Sequence, residues 1–218
     1  MTYLHDFDQN GVIYYIGTCG KTVPFRNPAE EEGEWGVHCF RGTLQFMDQR
    51  KSSDALGSAA DMCSRANVDT MSGDHKDAWW LLDLGPGRTV TPQMYTIRHG
   101  HFTPLNSLRN WRLEGSLSGK PSTWHELHSH LNDESLDDGY ATATWAVKTI
   151  NTAHMQPCRF LRIVQTAANS SDNNMVSDPQ VQQACHVHAA PDLSAALSCL
   201  VLYLYAPADQ TPALDWRN

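Results

Sequence analysis

The stretch from Asp77 to Ser118 alternates apolar and polar residues with a period that does not match the 3.6-residue period of a helix. Within Asn110–Leu117 alternate residues would lie on opposite faces of a strand. One face would carry Trp111, Leu113, Gly115 and Leu117, and the other would carry Arg112, Glu114 and Ser116. A period of two is typical of a half-buried strand. Ala78–Leu84 and Met94–His99 read as two more strands, and Gly85-Pro86-Gly87 breaks the chain between them. This stretch therefore predicts sheets.

Short strand-like runs continue along the rest of the chain. The further predicted strands are Asn10–Ile16, Trp35–Leu44, Thr123–His130, Ala141–Val147, Arg159–Thr166 and Leu197–Tyr205. Together with the three central runs they make eight or nine strands with hardly any helix beyond a short one near Asp54–Arg65. This pattern predicts an all-β jelly-roll β-sandwich.

The spacing of the strands also predicts the domain organisation. We expect one domain over residues 1–206, because all-β sandwiches can run past about 200 residues as a unit. Polar stretches at 45–77 and 167–192 are expected to be long loops or insertions. The tail at 207–218 is expected to be loose.

Charge and cysteine content limit the class of protein. A net charge of −8 and a pI near 5.7 argue against binding nucleic acid or anionic membranes. The apolar run Leu193–Ala206 is shorter than the roughly 17–25 residues of a membrane span. The amino terminus lacks the features of a secretory signal, and the 6 cysteines contain no Cys-x-x-Cys pair. We therefore expect free thiols and a cytoplasmic location.

Motifs that would carry catalysis or bind metal are incomplete in this chain. The histidine clusters are His99-x-His101, His125-x-x-His128-x-His130 and His186-x-His188. A His-x-His pair on a strand could supply two zinc ligands, but no closing cysteine or carboxylate pattern accompanies these clusters, so we expect surface histidines. Asp6–Gly11 begins like a calcium loop, yet Gly17 occupies the position of the required glutamate. No enzyme, metal or cofactor is predicted.

Several blocks of the sequence together resemble a known family. The blocks are Asp8–Thr18, Asn27–Ala29, Ala78–Gly85, Val90–Gly100, Leu108–Gly119, Thr123–Asp133, Ala143–Val147, Arg159–Ser171 and Leu197–Tyr203. They resemble the discoidin or coagulation factor 5/8 type C domains, which are galactose-binding-like β-sandwiches. The resemblance is strongest to the intracellular branch found in HECT-type ubiquitin ligases and BTB-domain proteins. It implies a non-catalytic binding module with its ligand-binding loops at one end.

The expected binding residues lie next to turns. They are Arg98, His99, His101, Arg109 and Asn110, with Phe102 as an apolar anchor. Arg98 has an alternative role, an ion pair with Asp83 inside the fold. The leading hypothesis is recruitment of a protein partner or substrate, with ubiquitin-system components implied by the resemblance. The alternatives are a carbohydrate-binding module, or accessory domain of a sugar-active enzyme, and metal-dependent catalysis by the histidine clusters.

Overall fold

The computed structural model describes residues 3–29, 45–48, 59–70, 78–147, 156–171 and 203–205 of the chain. One α-helix, α1, spans Val12–Gly17, and short 3-10 helices span Ala59–Cys63 and Pro121–Thr123. The strands of the described residues are β1 Gln45–Asp48, β2 Trp79–Asp83, β3 Met94–Arg98, β4 Trp111–Ser116, β5 His125–His130, β6 Thr142–Ala146, β7 Phe160–Gln165 and β8 Tyr203–Tyr205.

The strands form two antiparallel sheets. One has the order β1-β2-β7-β4-β5, and the other has the order β6-β3-β8. The runs 2-7-4-5 and 8-3-6 are the strand orders of a jelly roll, in which alternate strands are assigned to facing sheets. The described residues thus confirm the predicted all-β jelly-roll sandwich with little helix.

The core lies between the two sheets and follows the alternation seen in the sequence. Trp111 and Leu113 of β4 are buried, as are Tyr95 and Ile97 of β3. Across the sandwich the rings of Trp111 and Trp145 meet edge to face with centroids 5.3 Å apart. Gly115 shares the inward face, and a Cβ there would overlap Sγ of Cys158. The period-two prediction is therefore confirmed for the inward face of Trp111, Leu113 and Gly115. It is wrong for Leu117, which follows β4 and is exposed, and the strand is not half-buried, since Glu114 and Ser116 on the other face are buried too.

The predicted first strand, Asn10–Ile16, is wrong. Val12–Gly17 is helical, and its buried residues Val12, Ile13 and Ile16 also fit the spacing of an apolar helix face. The carboxylate of Asp8 accepts hydrogen bonds from the backbone N–H groups of Leu4 and Asn10 and so shapes the turn before the helix. Tertiary packing therefore overrides the β propensity of this run.

Other expectations about loops are changed or fall outside the described residues. Residues 45–48, within the predicted long loop 45–77, form β1 and pair with β2. Ala59–Cys63 matches the short helix expected near Asp54–Arg65. The predicted strand Trp35–Leu44, most of 167–192 and the tail 207–218 lie outside the described residues.

Two expectations about side-chain chemistry need correction. Asp83 is paired with Arg159, at 2.7 Å to both Nε and the terminal nitrogen, rather than with Arg98. Arg159 lies next to Asp83 because β2 pairs with β7 and Asp83 is opposite Phe160. Cys63 and Cys158 are buried free thiols, as expected. Cys19 is disulfide-bonded, which contradicts the free-thiol prediction for that cysteine.

Candidate functional site

Loops from different parts of the chain meet at one end of the sandwich, which we call the loop end. They are residues 65–70, 99–110, 131–141 and 166–171. Backbone hydrogen bonds join them: Asp133 N donates to Arg109 O at 2.9 Å, Tyr140 N to His101 O at 2.9 Å, and Thr70 N to Gly100 O at 3.0 Å. Such cross-links hold the loops in one arrangement and reduce the entropy that binding would cost.

Asn110 joins three of these loops from a buried position. Its Nδ2 donates to Ala168 O at 2.7 Å, and its Oδ1 accepts from Asn132 N at 2.8 Å. Its backbone oxygen accepts from Thr166 N at 2.9 Å. The side chain is therefore placed to position the loops rather than to face solvent.

His99 is buried beneath the 99–110 loop. Its Nε2 donates to the carbonyl oxygen of Thr103 at 2.7 Å, since a carbonyl can only accept. Burial lowers the pKa of His99, while the Thr103 carbonyl opposes that shift. The ring is therefore held neutral and fixes the turn that leads to Phe102.

Arg98 contacts the amino-terminal segment and the 65–70 loop. Its guanidinium lies 3.7 Å from the ring centroid of Phe7. One terminal nitrogen donates to Arg65 O and Ala66 O, each at 3.2 Å. Arg98 thus ties two segments to the end of the central strand β3.

Phe102 and Leu105 are the exposed apolar residues of the 99–110 loop. Their relative exposures are 64% and 59%. The backbone under Phe102 is tightly enclosed, because a Cβ on Gly139 would overlap the Phe102 carbonyl. The ring of His101 packs 4.5 Å from that of Phe102. The sequence did not single out Leu105, although its place between the turn residues Pro104 and Asn106 was a usable signal.

Charged groups of the loop end are already paired with one another. Arg109 contacts Glu134 at 3.1 Å and Asp137 at 2.7 Å. Of the six expected binding residues, the loop end brings His101, Phe102 and Arg109 to or near the surface. His99 and Asn110 lie beneath it, and Arg98 lies at its side. Their role in binding stays a prediction.

A separate cavity opens along the side of the sandwich, between β5 and β6. Its volume is about 490 Å³. The residues that line it are His128, Ser129, His130, Leu131, Asp133, Thr144, Trp145 and Ala146. It lies where β5, at the edge of one sheet, faces β6, at the edge of the other. We call it the edge cavity.

A buried chain of hydrogen bonds forms the floor of the edge cavity. Nδ1 of His130 donates to Asp133 at 2.7 Å, and its Nε2 contacts the hydroxyl of Tyr95. His128 Nδ1 lies 3.3 Å from the same hydroxyl. The indole of Trp111 stacks on His130 with centroids 3.9 Å apart. His128 and His130 are thus buried, and the expectation of surface histidines is wrong for both because β5 turns them towards Tyr95.

Ionisation of this chain is fixed by its surroundings. Burial raises the pKa of Tyr95 far above its usual value, so the phenol stays protonated. Burial also acts to raise the pKa of Asp133, but hydrogen bonds from Ser135 and from His130 outweigh it and lower that pKa. Asp133 is therefore ionised. In the described part of the chain no group of three or more histidines, cysteines or carboxylates is arranged to hold a metal ion.

A cysteine and a histidine lie close together, but the cysteine thiol is not activated. Sγ of Cys158 is 3.7 Å from Nε2 of His125. Burial raises the pKa of Cys158 to about 11. Because the thiolate is the nucleophile, this pair is a structural contact and not a catalytic dyad.

The chain is similar to segments of much larger proteins. No family model matches the chain. It is 33% identical over 172 residues to E3 ubiquitin-protein ligase Ufd4 of Drosophila melanogaster and 34% identical over 174 residues to E3 ubiquitin-protein ligase hecd-1 of Caenorhabditis elegans. It is 28% identical over 166 residues to a BTB/POZ domain-containing protein of Arabidopsis thaliana. The predicted resemblance is confirmed.

These matches cover most of this chain but only a small part of each relative. They cover 78%, 78% and 76% of this chain, but only 6%, 6% and 19% of the respective relatives. Similar solved structures include CpGH89CBM32-5 from Clostridium perfringens in complex with GalNAc-β-1,3-galactose, at 10% identity and a TM-score of 0.48 over 75% of this chain and 95% of that one. An F5/8 type C domain from Bacteroides fragilis has 13% identity and a TM-score of 0.44 over 75% and 93%. The sheet order of this chain itself shows the jelly-roll fold.

Within the described residues, no helix has the length and apolar character to cross a bilayer.

Proposed function

We propose that this chain is a non-catalytic, cytoplasmic recognition module that recruits a protein partner or substrate, in a ubiquitin-ligase context, through its loop end. The observation that carries the proposal is the exposure of Phe102 and Leu105 on a loop whose backbone packs tightly against Gly139. In this proposal His101, Phe102 and Arg109 contact the partner. Arg98, His99 and Asn110 position the loops that present them.

The geometry of Phe102 and Leu105 suits an interface anchor. Two large apolar side chains three positions apart on a hydrogen-bonded loop lose little freedom on binding. Aromatic side chains that fill a partner's pocket carry a large share of interface energy. The paired charges of Arg109, Glu134 and Asp137 provide a polar rim next to these residues.

Support for a role without catalysis comes from the groups that could have reacted. The hydroxyl of Tyr95 is buried in the core and stays protonated. The thiol of Cys158 is buried with a raised pKa. A nucleophile or general base needs both access to substrate and a pKa near the working pH, and neither group has them.

The ubiquitin-ligase context is supported by sequence similarity alone. Two relatives are E3 ubiquitin-protein ligases, and the matching segments are small parts of those proteins. A ligase needs modules that bring substrates or cofactors to it, and a rigid sandwich with an exposed apolar loop suits that task.

The experiment compares partners of three forms of the tagged chain. One is unchanged, one carries Phe102→Ala with Leu105→Ala, and one carries Leu117→Ala, which removes an exposed leucine from the β4–β5 turn at the opposite end of the sandwich. Equal thermal unfolding of the three forms shows that the changes are confined to the surface. Proteins captured from cell extract are then quantified by mass spectrometry after cross-linking.

We expect specific proteins, including components of the ubiquitin system, to fall about tenfold or more with the double variant, as for loss of an interface hot spot. They should be unchanged with Leu117→Ala. Equal capture by all three forms would show that the loop end is not the recruiting surface.

A second candidate function, carbohydrate binding, is favoured by one observation. Phe102 is an exposed aromatic ring that packs beside His101, with Arg109 on the same loop, and sugar sites combine a ring with polar side chains. Retention of the purified chain on galactose and GalNAc resins, lost with Phe102→Ala and kept with Leu117→Ala, would support it. No retention on either resin would exclude it in favour of the protein partner.

A further inference from the structure

We propose that the free edge of β6 is a second binding surface, which takes an extended segment of a partner protein carrying a lysine or arginine and adds it to the sheet as a strand. This surface is distinct from the loop end and stands independently of the function proposed there.

The register of β6 on β3 shows which backbone groups of β6 are used. Tyr95 pairs with Trp145, and Ile97 pairs with Ala143. Val147 N donates to Gln93 O at 2.8 Å at one end of this ladder, and His99 N donates to Ala141 O at 2.8 Å at the other. In an antiparallel pair the hydrogen-bonded positions alternate, so the residues whose N–H and C=O groups face β3 are Ala141, Ala143, Trp145 and Val147.

It follows that the intervening residues turn their backbone groups away from β3. These are Thr142, Thr144 and Ala146. Among the described residues β6 pairs with β3 alone, and no other backbone hydrogen bond reaches Thr144 or Ala146. The edge cavity lies directly against them. Unpaired backbone groups on an edge are a ready template for another strand.

Proteins normally protect such an edge, and three of the usual devices are absent from the described strand β6 itself. Protection comes from lysines or other charges, prolines, or bulges that twist the edge away. The sequence of β6, TATWA, has no charged residue and no proline. Its register on β3 runs through all 5 pairs without a shift. The strand is thus uncharged and regular in register, as suits strand addition.

The charge around the edge cavity indicates what the added strand carries. A strand paired with β6 would place alternate side chains over the cavity, whose lining holds Asp133 and no lysine or arginine. The lowered pKa of Asp133 keeps its carboxylate ionised. The half-buried Trp145 lines the same cavity, and aromatic rings attract cations.

Amide hydrogen exchange on the isolated chain tests whether the edge is open. We expect the amides of Thr144 and Ala146 to exchange about 100-fold faster or more than those of Ala143 and Trp145, which face β3. Equal protection of all four amides would overturn the proposal. If that protection is independent of concentration, the chain's own segment covers the edge, and if it grows with concentration, a second copy does.

A peptide titration followed by amide chemical shifts tests the occupant. The probe is a seven-residue peptide of alternating valine and threonine with a central lysine, and its twin carries glutamate at that position. We expect shifts at Thr144 and Ala146 with the lysine peptide and about fivefold weaker binding of the glutamate twin. An absence of shifts at these residues with either peptide would refute strand addition.

A matched pair of variants isolates the backbone group. Ala146→Pro removes an N–H that points away from β3, so the ladder to β3 is kept. Ala146→Val changes the side chain and leaves that N–H in place. We expect Ala146→Pro to weaken the lysine peptide about tenfold, as for one lost backbone hydrogen bond, and Ala146→Val to stay within about twofold. Equal effects of the two changes would overturn the proposal. The titration uses no loop-end partner, so its failure leaves the proposed function intact.

Discussion

The ion pair between Asp83 and Arg159 is expected to contribute strongly to stability, and Arg159→Met tests this. The guanidinium makes two hydrogen bonds at 2.7 Å to the Asp83 carboxylate, whose side chain is 10% exposed. After the substitution the Asp83 charge keeps the backbone donor Gly85 N at 2.8 Å and the electrostatic attraction of Arg88. Methionine retains much of the aliphatic contact that Arg159 makes.

The magnitude follows from how much of the pair water can reach. Removing one partner of a buried pair costs about 3–5 kcal/mol because an uncompensated charge remains. The Arg159 side chain is 30% exposed, so water already reaches the pair and part of that cost is relieved. We therefore expect Arg159→Met to lower the free energy of unfolding by about 2–3 kcal/mol.

The assay is urea denaturation followed by tryptophan fluorescence, since Trp80 and Trp111 are buried. Asp83→Asn is the partner variant, because its amide oxygen can still accept from Gly85. The double variant should recover about 2 kcal/mol relative to the sum of the singles, as expected for groups in direct contact. A loss below about 1 kcal/mol for Arg159→Met, with additive single effects, would refute the reasoning.

Three further predictions concern the core and the loop end. Gly115→Ala should destabilise the fold by about 1–3 kcal/mol, because it forces a methyl group against Sγ of Cys158. Adding Cys158→Ala should restore most of the lost stability, as measured by urea titration. An unchanged free energy of unfolding for Gly115→Ala would contradict this packing. Burial lowers the pKa of His99 in the folded state, so as the pH falls the unfolded chain binds this proton before the folded chain does. The contribution of neutral His99 to stability is therefore full above about pH 6.5 and is lost as the pH falls towards the folded-state pKa. In His99→Gln the urea midpoint should decrease less between about pH 7.5 and 5 than in the unchanged protein. An equal decrease in both would show that other groups cause the pH dependence. With a pKa of about 11, Cys158 should be alkylated by iodoacetamide at pH 8 about 100-fold more slowly than a free thiol, measured by peptide mass spectrometry, and a rate near that of the free thiol would contradict its burial.

The central strands could be predicted from the sequence because their alternation has one structural solution. In β4 the positions of Trp111 and Leu113 are apolar and their neighbours are polar, so the alternation shows which face meets the core. It did not show that Glu114 and Ser116 on the opposite face are also buried. The amino-terminal run was mispredicted because Val12, Ile13 and Ile16 suit either a strand or a helix. The outcome depends on the turn made by Asp8 and on packing against the core, which the local sequence does not contain.

The candidate site was harder to predict because exposure is a tertiary property. Residue type alone does not show that Phe102 faces solvent while His99, three positions earlier, is buried. The chain from His128 to Asp133 was also missed as a unit. It depends on Tyr95 of the facing sheet, which the sequence places more than 30 residues away.

The position of β7 has a consequence for how the protein is made. β7 lies between β2 and β4 in the five-stranded sheet, and Trp79 of β2 pairs with Val164 of β7. During translation, β2 and β4 therefore emerge long before the strand that joins them. Until Gln165 has left the ribosome, two hydrophobic strands have open sides, and a nascent chain stalled in that interval is exposed to aggregation and to capture by chaperones.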